Sequence, residues 1–171
     1  PPYRVAFYTL AELQRDVEQI DREHDFVFLD LPGRLDIHRP ADQQEITKFL
    51  QYVDFLFVPI TPGNYALAST LDYLRAVLKI AATRATAPRP LRVVGFVNMY
   101  EGGRTTDDRD LVEELDALRV TFKIPIMATR LQRYATFRSV DTFTTFYDRS
   151  STDRATANFS KFLDEFKAIL K

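Results

Sequence analysis

The segment VDFLFVPIT, residues 53–61, decides the fold class, because four apolar residues in succession, Phe55–Val58, lead into a proline. Such a run predicts a strand buried on both faces, as in a parallel sheet. The next segment, NYALASTLDYLRAVLKIAATRA (64–85), has apolar residues at helical spacing and predicts a long helix. LRVVGFVNMY (91–100) contains another buried run. Strand, helix and strand in this order predict two parallel strands joined by a right-handed crossover.

The same alternation extends in both directions along the chain. The sequence predicts four strands, at Phe26–Leu29, Phe55–Val58, Val93–Val97 and Ile124–Ile126, and a strand or extended segment at Tyr3–Tyr8. Further helices are predicted at 9–23 with a Thr9–Glu12 capping box, at Ala41–Tyr52, from Asp108 or Asp110 to Leu118, and at 158–170. The predicted fold is therefore α/β, a doubly wound and mainly parallel sheet with helices on both faces, in a single domain of residues 1–171.

Composition narrows the classes of function. Of the 171 residues, 46% are hydrophobic and 27% are charged, as in ordinary globular domains. The net charge is −1, so contact with nucleic acid or acidic lipid would need a local basic patch. The absence of cysteine and the presence of only two histidines argue against thiolate and histidine metal sites. With no membrane-length apolar run and no signal peptide, we expect a cytoplasmic protein.

The segment HDFVFLDLPG (24–33) ends a predicted strand on Asp30, with Gly33 three residues later. One interpretation is a simple turn, since aspartate, proline and glycine are common turn residues. In a parallel α/β sheet, however, ligands bind at the carboxyl ends of the strands. There Asp30 could hold Mg²⁺, and the N–H of Gly33 could approach a terminal phosphate. Asp-x-x-Gly thus fits the second nucleotide-binding motif of P-loop enzymes.

Four segments together resemble the ParA/MinD-type ATPases, deviant P-loop proteins that partition plasmids and chromosomes or position cell machinery. DFVFLDLPG, VDFLFVPITPGNYAL, LRVVGFVNMY and IPIMATRLQRYATFRSV follow the family's order and spacing over residues 22–170. ParA-like proteins of plasmids and conjugative elements are the most similar in pattern. The resemblance implies ATP and Mg²⁺ as cofactors, an ATP-dependent homodimer, non-specific DNA binding and a partition-type adaptor protein as partner. The chain would be a C-terminal portion of such an ATPase.

The resemblance also implies roles for individual residues. Asp30 would be the Walker B aspartate that organises Mg²⁺, and Gly33 the switch glycine near the γ-phosphate. Asn98 would hydrogen-bond the adenine, although a strand-end turn residue is an alternative interpretation. Pro125 to Met127 would line the base. NMYE at residues 98–101 differs from the N-K-x-D pattern of guanine-binding proteins, which argues for adenine.

Two departures from the family pattern limit these expectations. The sequence has no G-x-x-x-x-G-K-[ST] phosphate loop and only five glycines, so we expect that loop upstream of Pro1. Without it nothing cradles the phosphates, and the chain alone should not hydrolyse ATP. The family's acidic residue near Gly63 is also missing, which leaves the details of dimer formation open.

Three arginines form a candidate DNA-binding patch in RLQRYATFRSV (130–140): Arg130, Arg133 and Arg138. Basic residues interleaved with aromatic ones can bind phosphate backbones. A solvated surface is the alternative, since acidic residues follow closely. The final helix carries balanced charges opposite an apolar stripe, which predicts packing on the sheet and argues against a basic membrane anchor.

Three functions remain open from the sequence. The first is an ATP-dependent dimerisation and DNA-binding switch in partitioning. The second is a non-enzymatic scaffold or interaction module of the same fold that lacks the phosphate loop. The third is a doubly wound enzyme unrelated to nucleotides.

Overall fold

The computed structural model describes residues 5–30, 39–134 and 153–171. The chain forms two compact units, Pro1–Val53 and Asp54–Lys171. The single domain that the sequence predicts for residues 1–171 stays a prediction.

The first unit contains helix α1 (Leu10–Glu23), helix α2 (Pro40–Phe49) and a short 3₁₀ helix at Leu50–Tyr52. The predicted capping box is confirmed. The Thr9 hydroxyl accepts the Glu12 amide at 3.3 Å, and the Glu12 carboxylate accepts the Thr9 amide at 2.8 Å. Pro40 begins α2, where its fixed φ suits the first turn and its missing N–H has no helical partner.

The predicted strand at Phe26–Leu29 is wrong. These residues form no strand, and Phe26 and Phe28 are 65% and 76% exposed. An apolar run becomes a strand only when its backbone pairs with a neighbour. Among the described residues no strand pairs with this segment. Residues 5–8 are likewise exposed and outside the sheet.

The second unit is built on the predicted strand–helix–strand. Strand β1 (Phe55–Ile60) pairs in parallel with β2 (Arg92–Val97), with Phe57 opposite Val94, and helix α3 (Asn64–Thr83) connects them. The α/β class is therefore confirmed, with a parallel sheet of two strands among the described residues.

The predicted fourth strand, Ile124–Ile126, is wrong as a full strand. The segment runs beside β2 but forms only a single parallel bridge there, between Gly95 and Ile126. The carbonyl of Pro125 accepts the Gly95 amide at 2.9 Å, and the Met127 amide donates to the Gly95 carbonyl at 2.9 Å. Proline has no N–H to donate, so this ladder cannot extend beyond Pro125 toward the start of the segment.

Helices α4 (Thr106–Phe122) and α5 (Arg154–Ile169) complete the described elements. The predicted cap of α4, Asp108 or Asp110, is wrong. Thr105 caps the helix, and its hydroxyl accepts the Asp108 amide at 3.1 Å. Asp108 lies inside the first turn and is buried there, which gives it the different role described below.

Helix α5 packs on the sheet, as its balanced charges predict. Phe162 of α5 forms a core cluster with Val94 and Met127. The rings of Phe57 and Phe166 lie 4.5 Å apart between centroids. Helix α3 contacts both strands. The residues on the opposite face of the sheet are also buried: Val58, Ile60, Val93 and Val97. Both faces of the two strands are thus covered, while the doubly wound arrangement stays a prediction. None of the described helices has the length and apolarity to span a membrane.

Candidate functional site

Asn98 marks the carboxyl edge of the sheet in the second unit. It follows β2 directly, and its amide donates to the carbonyl of Ile60, the last residue of β1, at 2.9 Å. The backbone ladder therefore continues to Asn98 and fixes its position at the edge where parallel sheets bind ligands. The role of Asn98 in binding adenine stays a prediction.

The loop of residues 98–105 is fixed by a buried carboxylate. Met99, Gly102 and Gly103 have φ of 57°, 79° and 75°, so the loop turns through left-handed backbone. Asp108 is only 1% exposed. Its Oδ2 accepts the amides of Glu101 at 2.9 Å and of Gly103 at 3.0 Å. Its buried Oδ1 has no hydrogen-bond partner among the described residues. Asp108 thus ties the loop to the start of α4.

A second anchor holds the arginine segment, defined as residues 128–134. The carboxylate of Glu165 on α5 accepts the backbone amides of Ala128 at 2.6 Å and Thr129 at 2.8 Å. Partial burial raises the pKa of Glu165, but hydrogen bonds from Ala128 and Thr129 outweigh it and lower the pKa below the ordinary 4.5. The ionised carboxylate is therefore the form that holds the start of the segment.

Asn158 of α5 holds the middle of the arginine segment. Its side-chain amide donates to the Arg130 carbonyl at 2.9 Å, and its side-chain oxygen accepts the Gln132 amide at 3.0 Å. The Arg133 amide then donates to the Tyr100 carbonyl at 2.9 Å. The arginine segment is thus fixed between α5 on one side and loop 98–105 on the other.

Two arginines of this segment contact two successive loop residues. The Arg130 guanidinium lies 4.9 Å from the centroid of the Tyr100 ring, and its Nη1 donates to the Tyr100 hydroxyl at 3.1 Å. The Arg133 guanidinium pairs with the Glu101 carboxylate at 3.0 Å. The side chains of Arg133 and Glu101 are 52% and 40% exposed, so the ion pair faces solvent.

The other predicted site residues lie elsewhere. Asp30 belongs to the first unit and is exposed in an irregular segment. Pro125 is exposed, whereas Met127 is 3% exposed and packs in the core with Val94. Gly33 and Arg138 lie outside the described residues. The structure therefore places Asn98 at the carboxyl edge of β2, and Arg130 and Arg133 contact Tyr100 and Glu101 in the loop that begins there.

The described residues do not fit an Mg²⁺ site by themselves. They contain no group of three or more histidine, cysteine, aspartate or glutamate residues that could hold a metal. Asp30 offers a single carboxylate, whereas Mg²⁺ needs six oxygen ligands, usually completed by water and substrate phosphates. No step of the chemistry is therefore assigned to a metal in this chain.

One cavity of the second unit lies at the opposite, amino edge of the strands. It encloses about 410 Å³ and is lined mainly by apolar side chains, including Phe55, Leu91 and Ile124, with Arg92 and Lys123 at its sides. Of the predicted site residues that the structure describes, Pro125 alone lines it. The cavity and the arginine segment are thus separate features.

Sequence reasoning missed the residues that build the carboxyl edge. It treated Asp108 only as a possible helix cap, and Glu165 only as one of the balanced charges of the final helix. The partners of Glu165 precede it by 36 and 37 residues, and local spacing carries no signal for such contacts. Comparison of the chain with protein-family models, with curated proteins and with solved structures found no match.

Proposed function

We propose that this chain is part of a ParA-like ATPase that serves the partitioning of a plasmid, chromosome or mobile element. The observation that carries the proposal is the carboxyl edge of the parallel β1–α3–β2 unit. There Asn98 follows β2 directly, and Arg130 and Arg133 contact Tyr100 and Glu101 in the following loop. In open α/β sheets this edge is where ligands bind.

The chemistry of these side chains supports an adenine nucleotide and a phosphate backbone as ligands. A side-chain amide offers an NH₂ donor group and an oxygen acceptor, which match paired polar atoms on the edge of adenine. Guanidinium groups bind phosphate through two parallel hydrogen bonds and stack on aromatic rings. The Arg130 guanidinium already lies over the Tyr100 ring, and basic residues combined with aromatic ones suit nucleic-acid contacts.

In the proposed ATPase, this chain and the rest of its parent protein would supply different functional residues. The sequence has no phosphate loop, so the parent would supply one from a preceding segment. In the parent, Asp30 would supply one oxygen ligand of Mg²⁺, with water and nucleotide phosphates completing the set, and Gly33 would sense the terminal phosphate of ATP. ATP binding would drive homodimerisation and DNA binding, and an adaptor protein would stimulate slow hydrolysis.

A second candidate is a non-enzymatic scaffold of the same fold. The exposure of Phe26, Val27 and Phe28 favours it, because a Walker B aspartate is useful only at the end of a paired strand. The two candidates differ in whether phosphate ligands bind at the carboxyl edge.

DNA binding by the purified chain tests the proposal. Fluorescence anisotropy of a short labelled duplex should detect binding that weakens from about 50 to 200 mM salt. Arg133→Gln should weaken binding and reduce the slope of log K against log salt by about 0.9, the effect of one phosphate contact.

Arg119→Gln is the matched control, since Arg119 also pairs with an acidic residue, on α4, and the charge change is the same. Equal effects of the two variants would mean that only net charge matters. The absence of binding at low salt would favour the scaffold. Competition of a fluorescent ATP analogue by ATP and GTP, repeated with Asn98→Ala, tests the preference for adenine.

A further inference from the structure

We propose that the Glu101 carboxylate competes with phosphate ligands for the guanidinium of Arg133. This inference rests on the proposed function, since it concerns the same arginine segment. The Glu101 carboxylate meets the Arg133 guanidinium at 3.0 Å, in the position that an anionic ligand would take. A phosphate that binds Nη1 of Arg133 would therefore displace Glu101.

The two partners are held in place by independent anchors. On one side, Asp108 fixes the backbone of Glu101 through a 2.9 Å hydrogen bond. On the other side, Asn158 binds the backbone of the arginine segment at Arg130 and Gln132. The pair thus forms between two ordered backbones, and releasing the Glu101 side chain leaves both anchors intact.

The Arg133–Glu101 ion pair is weak enough for a phosphate to replace Glu101. Ion pairs at the protein surface contribute about 0–1 kcal/mol, because water screens the charges and ordering the side chains costs entropy. Both side chains of this pair are about half exposed. A phosphate of a nucleotide or of a polynucleotide carries charge on several oxygens and matches the guanidinium fork as a carboxylate does.

Arg130 makes the exchange selective. Its guanidinium is next to Tyr100, the residue before Glu101, and contacts a neutral ring and hydroxyl there. Among the described residues no carboxylate pairs with Arg130, which therefore remains a second cation beside Arg133. A ligand with several phosphates can engage Arg130 first and then replace Glu101 at Arg133, whereas a single small anion gains less.

The test is Glu101→Gln in the purified chain. The amide keeps the size of the side chain and leaves the Asp108 bond intact, because that bond uses the backbone of Glu101. Removing the competing charge should raise affinity for a labelled duplex by about two- to fivefold. This range corresponds to the free energy of an exposed ion pair. Asp116→Asn gives the same charge change in the exposed Asp116–Arg119 pair and should raise affinity less.

A double-mutant cycle separates competition from a general charge effect. In an Arg133→Gln background, Glu101→Gln should no longer raise affinity, because the cation for which it competes is gone. The same series is measured with ATP in place of DNA, and the probe that responds identifies whether the phosphate belongs to a nucleotide or a polynucleotide.

The outcomes distinguish this inference from the proposed function. Binding that depends on Arg133 but does not respond to Glu101→Gln overturns the inference alone. Binding that appears only in Glu101→Gln supports it strongly. An equal gain with and without Arg133, or no binding of either probe by any variant, overturns it, and the second result also contradicts the proposed function. Circular dichroism confirms that each variant is folded.

Discussion

The backbone amide of Glu101 donates a 2.9 Å hydrogen bond to the buried carboxylate of Asp108. The loop after β2 is therefore not a free connection, since its conformation depends on one acidic side chain in the first turn of the next helix. A buried polar group is costly unless hydrogen bonds compensate it, and here two loop amides bind the Oδ2 atom of Asp108.

Asp108→Ala should destabilise the protein by about 1–3 kcal/mol, because the amides of Glu101 and Gly103 lose their buried acceptor. Urea denaturation followed by circular dichroism measures the change. Asp110→Ala is the matched control, since Asp110 is exposed on the same helix. It should change the free energy of unfolding by less than about 0.5 kcal/mol. Similar losses in both variants would show that the carboxylate of Asp108 does not hold the loop.

Glu165 should make stability depend on pH in the acidic range. Its folded pKa lies below the ordinary 4.5, so its stabilisation is complete above that value and is lost as pH falls through the lowered pKa. Glu165→Gln should therefore be less stable than the unmutated chain at neutral pH, and the difference should shrink below about pH 4.5. Urea midpoints across this range measure it, with exposed Glu113→Gln as control. A difference that stays constant with pH would refute the contribution of the ionised carboxylate.

Gly95 leaves room for the side chains of Ile60 and Ile126, which pack against it. A Cβ at this position would lie 3.0 Å from Cδ1 of Ile60 and 3.3 Å from Cγ1 of Ile126. Gly95→Ala should thus cost about 1–3 kcal/mol through overpacking. Ile60→Val removes the nearest methyl and alone costs about 0.5–1.5 kcal/mol. The double variant should lose less free energy of unfolding than the sum of the two single losses. Thermal or urea unfolding measures all three values. Strict additivity would mean that the two residues are not in contact.

Local sequence patterns predicted the elements that depend on local chemistry. Three features were predicted correctly because each depends on residues that are close together in the sequence. They are the apolar run of β1, the periodicity of α3 and the Thr9 capping box. The run at Phe26–Leu29 has the composition of a buried strand, but composition cannot supply a pairing neighbour. Nor could spacing predict that Glu165 would bind a segment more than thirty residues earlier, so the anchors of the candidate site were missed.

The purified chain should show no ATP hydrolysis above the buffer blank, because no phosphate loop is present to position the transferred group. A malachite-green assay with ATP and Mg²⁺ measures released phosphate. Turnover near about 1 s⁻¹, at the low end for enzymes, would contradict this expectation and would require a catalytic site that the described residues do not suggest.

The most direct test of the central claim is a map of the binding surface by nuclear magnetic resonance. Amide chemical shifts of the isotope-labelled chain are followed during titration with duplex DNA and, separately, with ATP. Binding at the carboxyl edge predicts the largest shifts at Asn98, Glu101 and Arg133. Shifts confined to the amino edge, around Leu91 and Lys123, or the absence of shifts with both ligands, would contradict the proposal.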